Sequence, residues 1–69
     1  MEAVVTEPDA ELSIAEEQRK AIFQALVEAQ DRGASVRDSR REVAGRFGIT
    51  EQQVQRIERE GLAQTWPPL

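Results

Sequence analysis

Cysteine, histidine and tyrosine are absent from this 69-residue chain. Without cysteine, neither a disulfide nor a thiolate metal site can staple so small a domain. Without histidine, the commonest transition-metal ligand and the commonest general base are missing together. A nucleophile would have to be a serine, threonine, lysine or carboxylate, and none stands in a recognisable activating arrangement. Glycine-rich phosphate loops and carboxylate pairs at metal-binding spacing are missing as well. The expectation is a protein that is not an enzyme and that uses no cofactor and no metal. No apolar run approaches membrane-spanning length, and Met1-Glu2 opens nothing like a secretion signal. A soluble cytoplasmic protein without a membrane partner is therefore expected.

What is present is charge, unevenly spread. The net charge is −4, yet residues 1–18 hold Glu2, Glu7, Asp9, Glu11, Glu16 and Glu17 without a base, which is −6. Residues 19–69 hold nine bases against seven acids, which is +2. The chain reads as an acidic head on a mildly basic body. A nucleic-acid-binding body usually has a clearer basic excess, so the +2 supports DNA contact only weakly. The length allows one domain with a small core, whose stability must come from helix packing or from a partner.

Residues 1–12, with Pro8, low hydrophobicity and unpaired acids, are expected to be a flexible acidic leader. It serves either as a solvated terminus or as a tail that competes with DNA for a basic face or docks on another protein. Residues 13–66 are then a three-helix domain, all-α, and residues 67–69 an extended tail. Ser13-Ile14-Ala15-Glu16 forms a capping box that opens the first helix, with Glu16 and Glu17 in its first turn where the helix dipole favours acids. Ala15, Ile22, Phe23, Leu26, Val27 and Ala29 build its apolar face, and Gly33 ends it. Over residues 14–32 it would be roughly 28 Å long at about 1.5 Å per residue.

The second helix, about residues 36–47, has two candidate caps. Ser35 caps a helix that buries Val36, Val43 and Phe47; alternatively Ser39 caps it through Ser39-Arg40-Arg41-Glu42. The earlier start is favoured. The third helix spans about residues 51–63 and turns Val54, Ile57 and Leu62 inward. Between the two lies Phe47-Gly48-Ile49-Thr50, the most informative stretch of the chain. Gly48 follows the last apolar residue where a helix end wants a left-handed conformation. Thr50, with Gln53 three positions on, completes a T-x-x-Q capping box. Ile49 falls between stop and start, placed to be buried in the angle. The outline is a helix-turn-helix.

Residues 43–62, VAGRFGITEQQVQRIEREGL, resemble region four of bacterial sigma factors, the helix-turn-helix that reads the upstream promoter element. Val43, Ala44, Phe47, Gly48, Ile49, Thr50, Val54, Arg56-Ile57-Glu58 and Leu62 occupy the positions of that pattern. A weaker likeness extends back through Leu12-Ser13 and the first helix. The resemblance implies double-stranded DNA as partner, membership of the bacterial cytoplasm or nucleoid, and RNA polymerase or another protein subunit, or a second copy, as company. Carried over by position, Glu51, Gln52, Gln55 and Arg56 become the base-reading set, with Gln53 beside them. Glutamine suits adenine and arginine suits guanine, each by a bidentate pair. Arg37, Arg40, Arg41, Arg46 and Arg59 become phosphate contacts. The chain departs from the family where Glu51 and Gln55 stand at positions commonly arginine, and where Ala63-Gln64-Thr65-Trp66 replaces a basic run. Weaker DNA affinity or a different partner follows from that.

Each of these residues has a plainer use. The glutamines are good helix formers, and the arginines make a solvated face partly paired to Asp38 and Glu42. Trp66, the only tryptophan, folds back on the core near the first helix. Alternatively Trp66-Pro67-Pro68-Leu69 is a docking peptide whose tryptophan anchors in a partner's pocket. Exposure of Trp66 would favour docking, and the chain would then be a protein-interaction adaptor.

Overall fold

Gly48 sits at φ 69°, ψ 34°, in the left-handed region its place after Phe47 demands, and its N–H returns to the Ala44 carbonyl. Two residues later the capping box closes. Thr50 Oγ1 accepts from the Gln53 N–H at 3.0 Å, and Gln53 Oε1 accepts from the Thr50 N–H at 2.9 Å. Both halves of the turn are therefore local hydrogen-bond chemistry. Replacing Thr50 by alanine is expected to cost about 1 kcal/mol, read as a lower urea midpoint. An unmoved midpoint would show that the cap contributes nothing.

This turn joins two of the three helices in a computed structural model that describes residues 14–69. Helix α1 runs Glu16–Asp31, α2 Val36–Phe47 and α3 Glu51–Gln64, and each packs on the other two. No strand occurs among the described residues. The chain is all-α, as its periodicity implies. The acidic leader expected over residues 1–12 lies outside the described residues, and so does Ser13.

The core is built from Ile22, Phe23, Ala25 and Leu26 of α1, Val43 and Ala44 of α2, Val54 and Ile57 of α3, and Trp66 beyond it. Ile14, Val27, Phe47 and Ile49 pack partly buried against it. Ile49 thus fills the corner as expected.

Four expectations need correction. Helix α1 opens at Glu16 rather than at Ile14, with Ala15 in the cap position and no side-chain cap. Glu16 faces Lys20 at 3.6 Å, one turn on, and the Ile14 carbonyl accepts from Arg19 Nη1 at 2.6 Å. Ala15 is exposed, whereas Ala25, left out of the expected apolar face, is buried. In α2 the earlier start is right, since Ser35 Oγ accepts from the Asp38 N–H. Val36 nevertheless stands 48% exposed, and the fully buried residue one turn on is Ser39. Ser39 tolerates this because its hydroxyl donates to the Val36 carbonyl at 2.8 Å and accepts from Gln30 Nε2 at 3.1 Å. In α3 Leu62 is 58% exposed, and the inward position next to it is taken by Gly61.

Gly61 is buried for a steric reason. The Phe23 ring of α1 lies directly on the α3 backbone there, in the space a β-carbon would occupy. After Gln64, Thr65 adopts the left-handed conformation, and the Trp66 N–H returns to the Gly61 carbonyl at 3.0 Å. That reversal brings the Trp66 indole edge-on to Phe23, with centroids 6.1 Å apart and planes at 78°.

Candidate nucleic-acid interface

The buried residues of α3 are Val54, Ile57 and Gly61, which leaves the opposite side of the helix to solvent. Gln52, Gln55, Arg56 and Arg59 are all exposed there. Their spacing of 0, 3, 4 and 7 places them in one stripe along the helix. Leu62, three positions beyond Arg59, prolongs the stripe with an apolar residue that the sequence pattern had assigned to the core.

Two ion pairs hold α3 by its flanks and set which way this stripe points. On one flank Arg40 of α2 pairs with Glu58, at 3.0 Å from Nε and 2.9 Å from Nη2, with both side chains largely shielded from water. On the other, Arg19 of α1 grips Glu60 bidentately, Nε to Oε1 at 2.9 Å and Nη2 to Oε2 at 3.1 Å. Glu58 and Glu60 bracket Arg59, so both clamps leave its side chain facing outward, where it makes no ion pair with a described residue. Bidentate arginine–carboxylate geometry is the form of ion pair that adds orientation as well as attraction.

The expected site residues separate into groups. Gln52, Gln55 and Arg56 come together, joined by Arg59, which had been placed among the phosphate contacts. Gln53 is withdrawn, because its amide oxygen is committed to the Thr50 cap and the residue is half-buried. Glu51 is exposed at the start of α3 but points toward Arg41, whose Nε lies 3.9 Å away. Of the arginines on α2, Arg37 and Arg41 are exposed and one turn apart on the same side. Arg40 is spent on Glu58. Arg46 lies nine positions beyond Arg37, which is two and a half turns at 3.6 residues per turn, so it occupies the other side and stacks 5.7 Å from the Phe47 ring. The expected pairing of Glu42 to these arginines does not form; Glu42 pairs with Arg32 at 2.8 Å.

In the tail, Trp66 is only 4% exposed, so it is a core residue and is not presented to a partner. Pro67, Pro68 and Leu69 are exposed, Leu69 by 55%.

One feature had no signal in the sequence. Between the start of α1 and the flank of α3 lies a cleft of about 400 Å³. Ile14 and Arg19 line one side of it, and Arg56, Ile57, Arg59 and Ala63 the other. It depends on Arg19 meeting Glu60, 41 positions away, a pairing that no periodicity foretells.

The family model described as "Domain of unknown function (DUF7769)" matches residues 14–64, more than half of the chain. The chain belongs to that family. The matched DUF7769 span takes in all three helices and stops just before the Trp66 reversal. No curated protein and no solved structure matches the chain. No helix among the described residues of this DUF7769 member is long and apolar enough to cross a membrane.

Proposed function

We propose that this protein is a small DNA-binding protein of the helix-turn-helix, sigma region-four-like type, acting as a transcription regulator or as an accessory subunit of a DNA-bound complex. The observation that carries the reading is the solvent-facing stripe of Gln52, Gln55, Arg56 and Arg59 on the helix that follows the Gly48–Thr50 turn. In a helix-turn-helix the second helix enters the major groove and reads bases near its N-terminus, while the first crosses the backbone. Gln52, Gln55 and Arg56 are the base-reading set on this reading. Arg59, Arg37 and Arg41 are the phosphate contacts. A single helix of this kind reads few base pairs, so a second copy, RNA polymerase or another protein subunit would complete the site. Such a protein works where the DNA is, in the cytoplasm or nucleoid.

The competing reading, a protein-docking adaptor, finds no support in Trp66, which is buried. Leu62 and Leu69 are the large exposed apolar residues near α3 and the tail that remain to it.

Titration against random-sequence duplex at several salt concentrations tests the proposal. Affinity should fall steeply with salt, and Arg59→Ala should lower the slope of log K against log salt by about 1. Once a preferred sequence is selected, Gln52→Ala should weaken binding to it by about 1–3 kcal/mol and leave random duplex binding unchanged. No duplex binding at low salt would overturn the reading.

A further inference from the structure

Three of the glycines are accounted for within the domain. Gly33 and Gly48 occupy positive φ, 105° and 69°, and Gly61 is bare because the Phe23 ring rests on its backbone. Gly45 has neither reason. It lies in the last turn of α2, is exposed, and a β-carbon built on it would meet no described atom within 4 Å beyond its own stretch of helix. Alanine would fit there and is the better helix former. Nothing among the described residues therefore calls for glycine at this position. A bare backbone does serve a partner that must approach the helix closely from outside.

We propose that Gly45 is where the phosphate backbone of a duplex comes closest to α2, with Arg41 and Arg37 gripping the same strand beside it. This rests on the function proposed above and adds to it a contact that depends on the lack of a side chain.

Two observations favour a phosphate backbone as the occupant. The first is the row in which Gly45 stands. Arg37, Arg41 and Gly45 are spaced by four, so they form one ridge along α2, two arginines followed by a bare position. A polyanion lying along that ridge meets two guanidinium groups and no carboxylate of the ridge itself. Arg41 can take part because its contact with Glu51 is long, 3.9 Å, and joins side chains 64% and 56% exposed. Water screens such a pair, and a phosphate can share the guanidinium.

The second is direction. Arg40 reaches Glu58 and Arg41 reaches Glu51, both on α3, so the ridge borders α3. A strand lying on it would pass beside the outward stripe of α3, as a helix-turn-helix requires when its first helix crosses the backbone and its second enters the groove. The carboxylates of α2 do not stand in the way. Asp38 and Glu42 flank Arg40 by two positions, which puts both on the opposite side of the helix. Glu42 is moreover paired with Arg32 at 2.8 Å.

Gly45→Ala and Gly45→Leu, both good helix formers, test this in the full chain, with Ala21→Leu on the exposed side of α1 as the control. The urea midpoints of the two Gly45 variants should lie at or above the parent's. Their affinity for random-sequence duplex at low salt should nevertheless fall, about tenfold with alanine and further with leucine, as a contact with no spare room requires. Ala21→Leu should bind like the parent. When duplex is added to the isotope-labelled parent, the backbone amides of Arg41 and Gly45 should shift and that of Ala21 should not.

Where the parent binds duplex, Gly45 variants of unchanged affinity, an equal loss in Ala21→Leu, or a Gly45 amide that stays in place overturn the contact and leave the proposed function standing. A lower urea midpoint for Gly45→Ala overturns it as well, because the glycine would then serve the fold. A parent that binds no duplex removes the contact and the DNA reading together.

Discussion

Replacing Gly61 by alanine is expected to destabilise this domain by about 1–3 kcal/mol, the opposite of what the same change does in an open helix. In a helix interior, alanine is ordinarily favoured over glycine by about 1 kcal/mol. Here a β-carbon at Gly61 would stand 2.5 Å from Phe23 Cε1 and 2.6 Å from Cγ, with Cδ1 closer still. The ring has nowhere to go, since Phe23 is 1% exposed and locked between the α1 core residues and Trp66. Either the aromatic leaves its rotamer or α3 moves off α1. A urea titration of the wild type and of Gly61→Ala measures this directly, and the cycle with Phe23→Leu identifies the cause. In the Phe23→Leu background the ring is gone and the alanine should cost less. A Gly61→Ala variant more stable than the parent would show that Phe23 does not rest on that backbone.

Trp66→Ala should lower stability by about 3–5 kcal/mol. In a domain of this size that corresponds to a melting temperature lower by more than about 10 °C. The indole is 4% exposed, closes the core edge-on against Phe23 and lies under the Lys20 ammonium, 5.9 Å from the ring centroid. Truncating it would leave a cavity beside Phe23, in a domain small enough that its total stability is expected at the low end of the usual range of about 5–15 kcal/mol. Leu69→Ala is the control: Leu69 is more than half exposed, and its loss should move stability by no more than about 0.5 kcal/mol. Circular-dichroism melts of the two variants decide between a core role and a docking role for the tail. A Trp66→Ala variant that melts like the parent would put the tryptophan back among candidate partner contacts.

Both experiments act on one ring, and the sequence makes only part of that arrangement visible. Gly48, Thr50 and Gln53 are legible because their partners lie within five residues: the left-handed turn and the capping box close on themselves. The helix faces of Ile22, Phe23 and Leu26, and of Val54 and Ile57, follow from a period of 3.6. Leu62 fails the same test. Periodicity allows either position 61 or position 62 to face inward, and hydrophobicity favours leucine, but the Phe23 ring leaves room only for a residue without a side chain. Ser39 fails similarly: a polar residue reads as solvent-facing until Gln30 of another helix is found to satisfy its hydroxyl.

The candidate interface divides along the same line. That the third helix carries glutamines and arginines away from its apolar face is a property of the sequence. Which of them face outward together was decided by contacts between helices. The Arg40–Glu58 and Arg19–Glu60 clamps orient α3, the Thr50 cap removes Gln53 from the set, and Arg59 is left between the clamped glutamates, facing solvent.

By itself, then, the sequence determined three helices, their turn and the polar character of the third, because propensity, capping and amphipathic period are interactions within about one helical turn. The tertiary structure alone decided that a glycine and a serine occupy buried positions, that Trp66 closes the core, and that a cleft opens beside α3. Those outcomes depend on residues more than 40 positions apart in sequence, Arg19 with Glu60 and Phe23 with Trp66 among them, meeting in space, and local preference carries no information about such meetings.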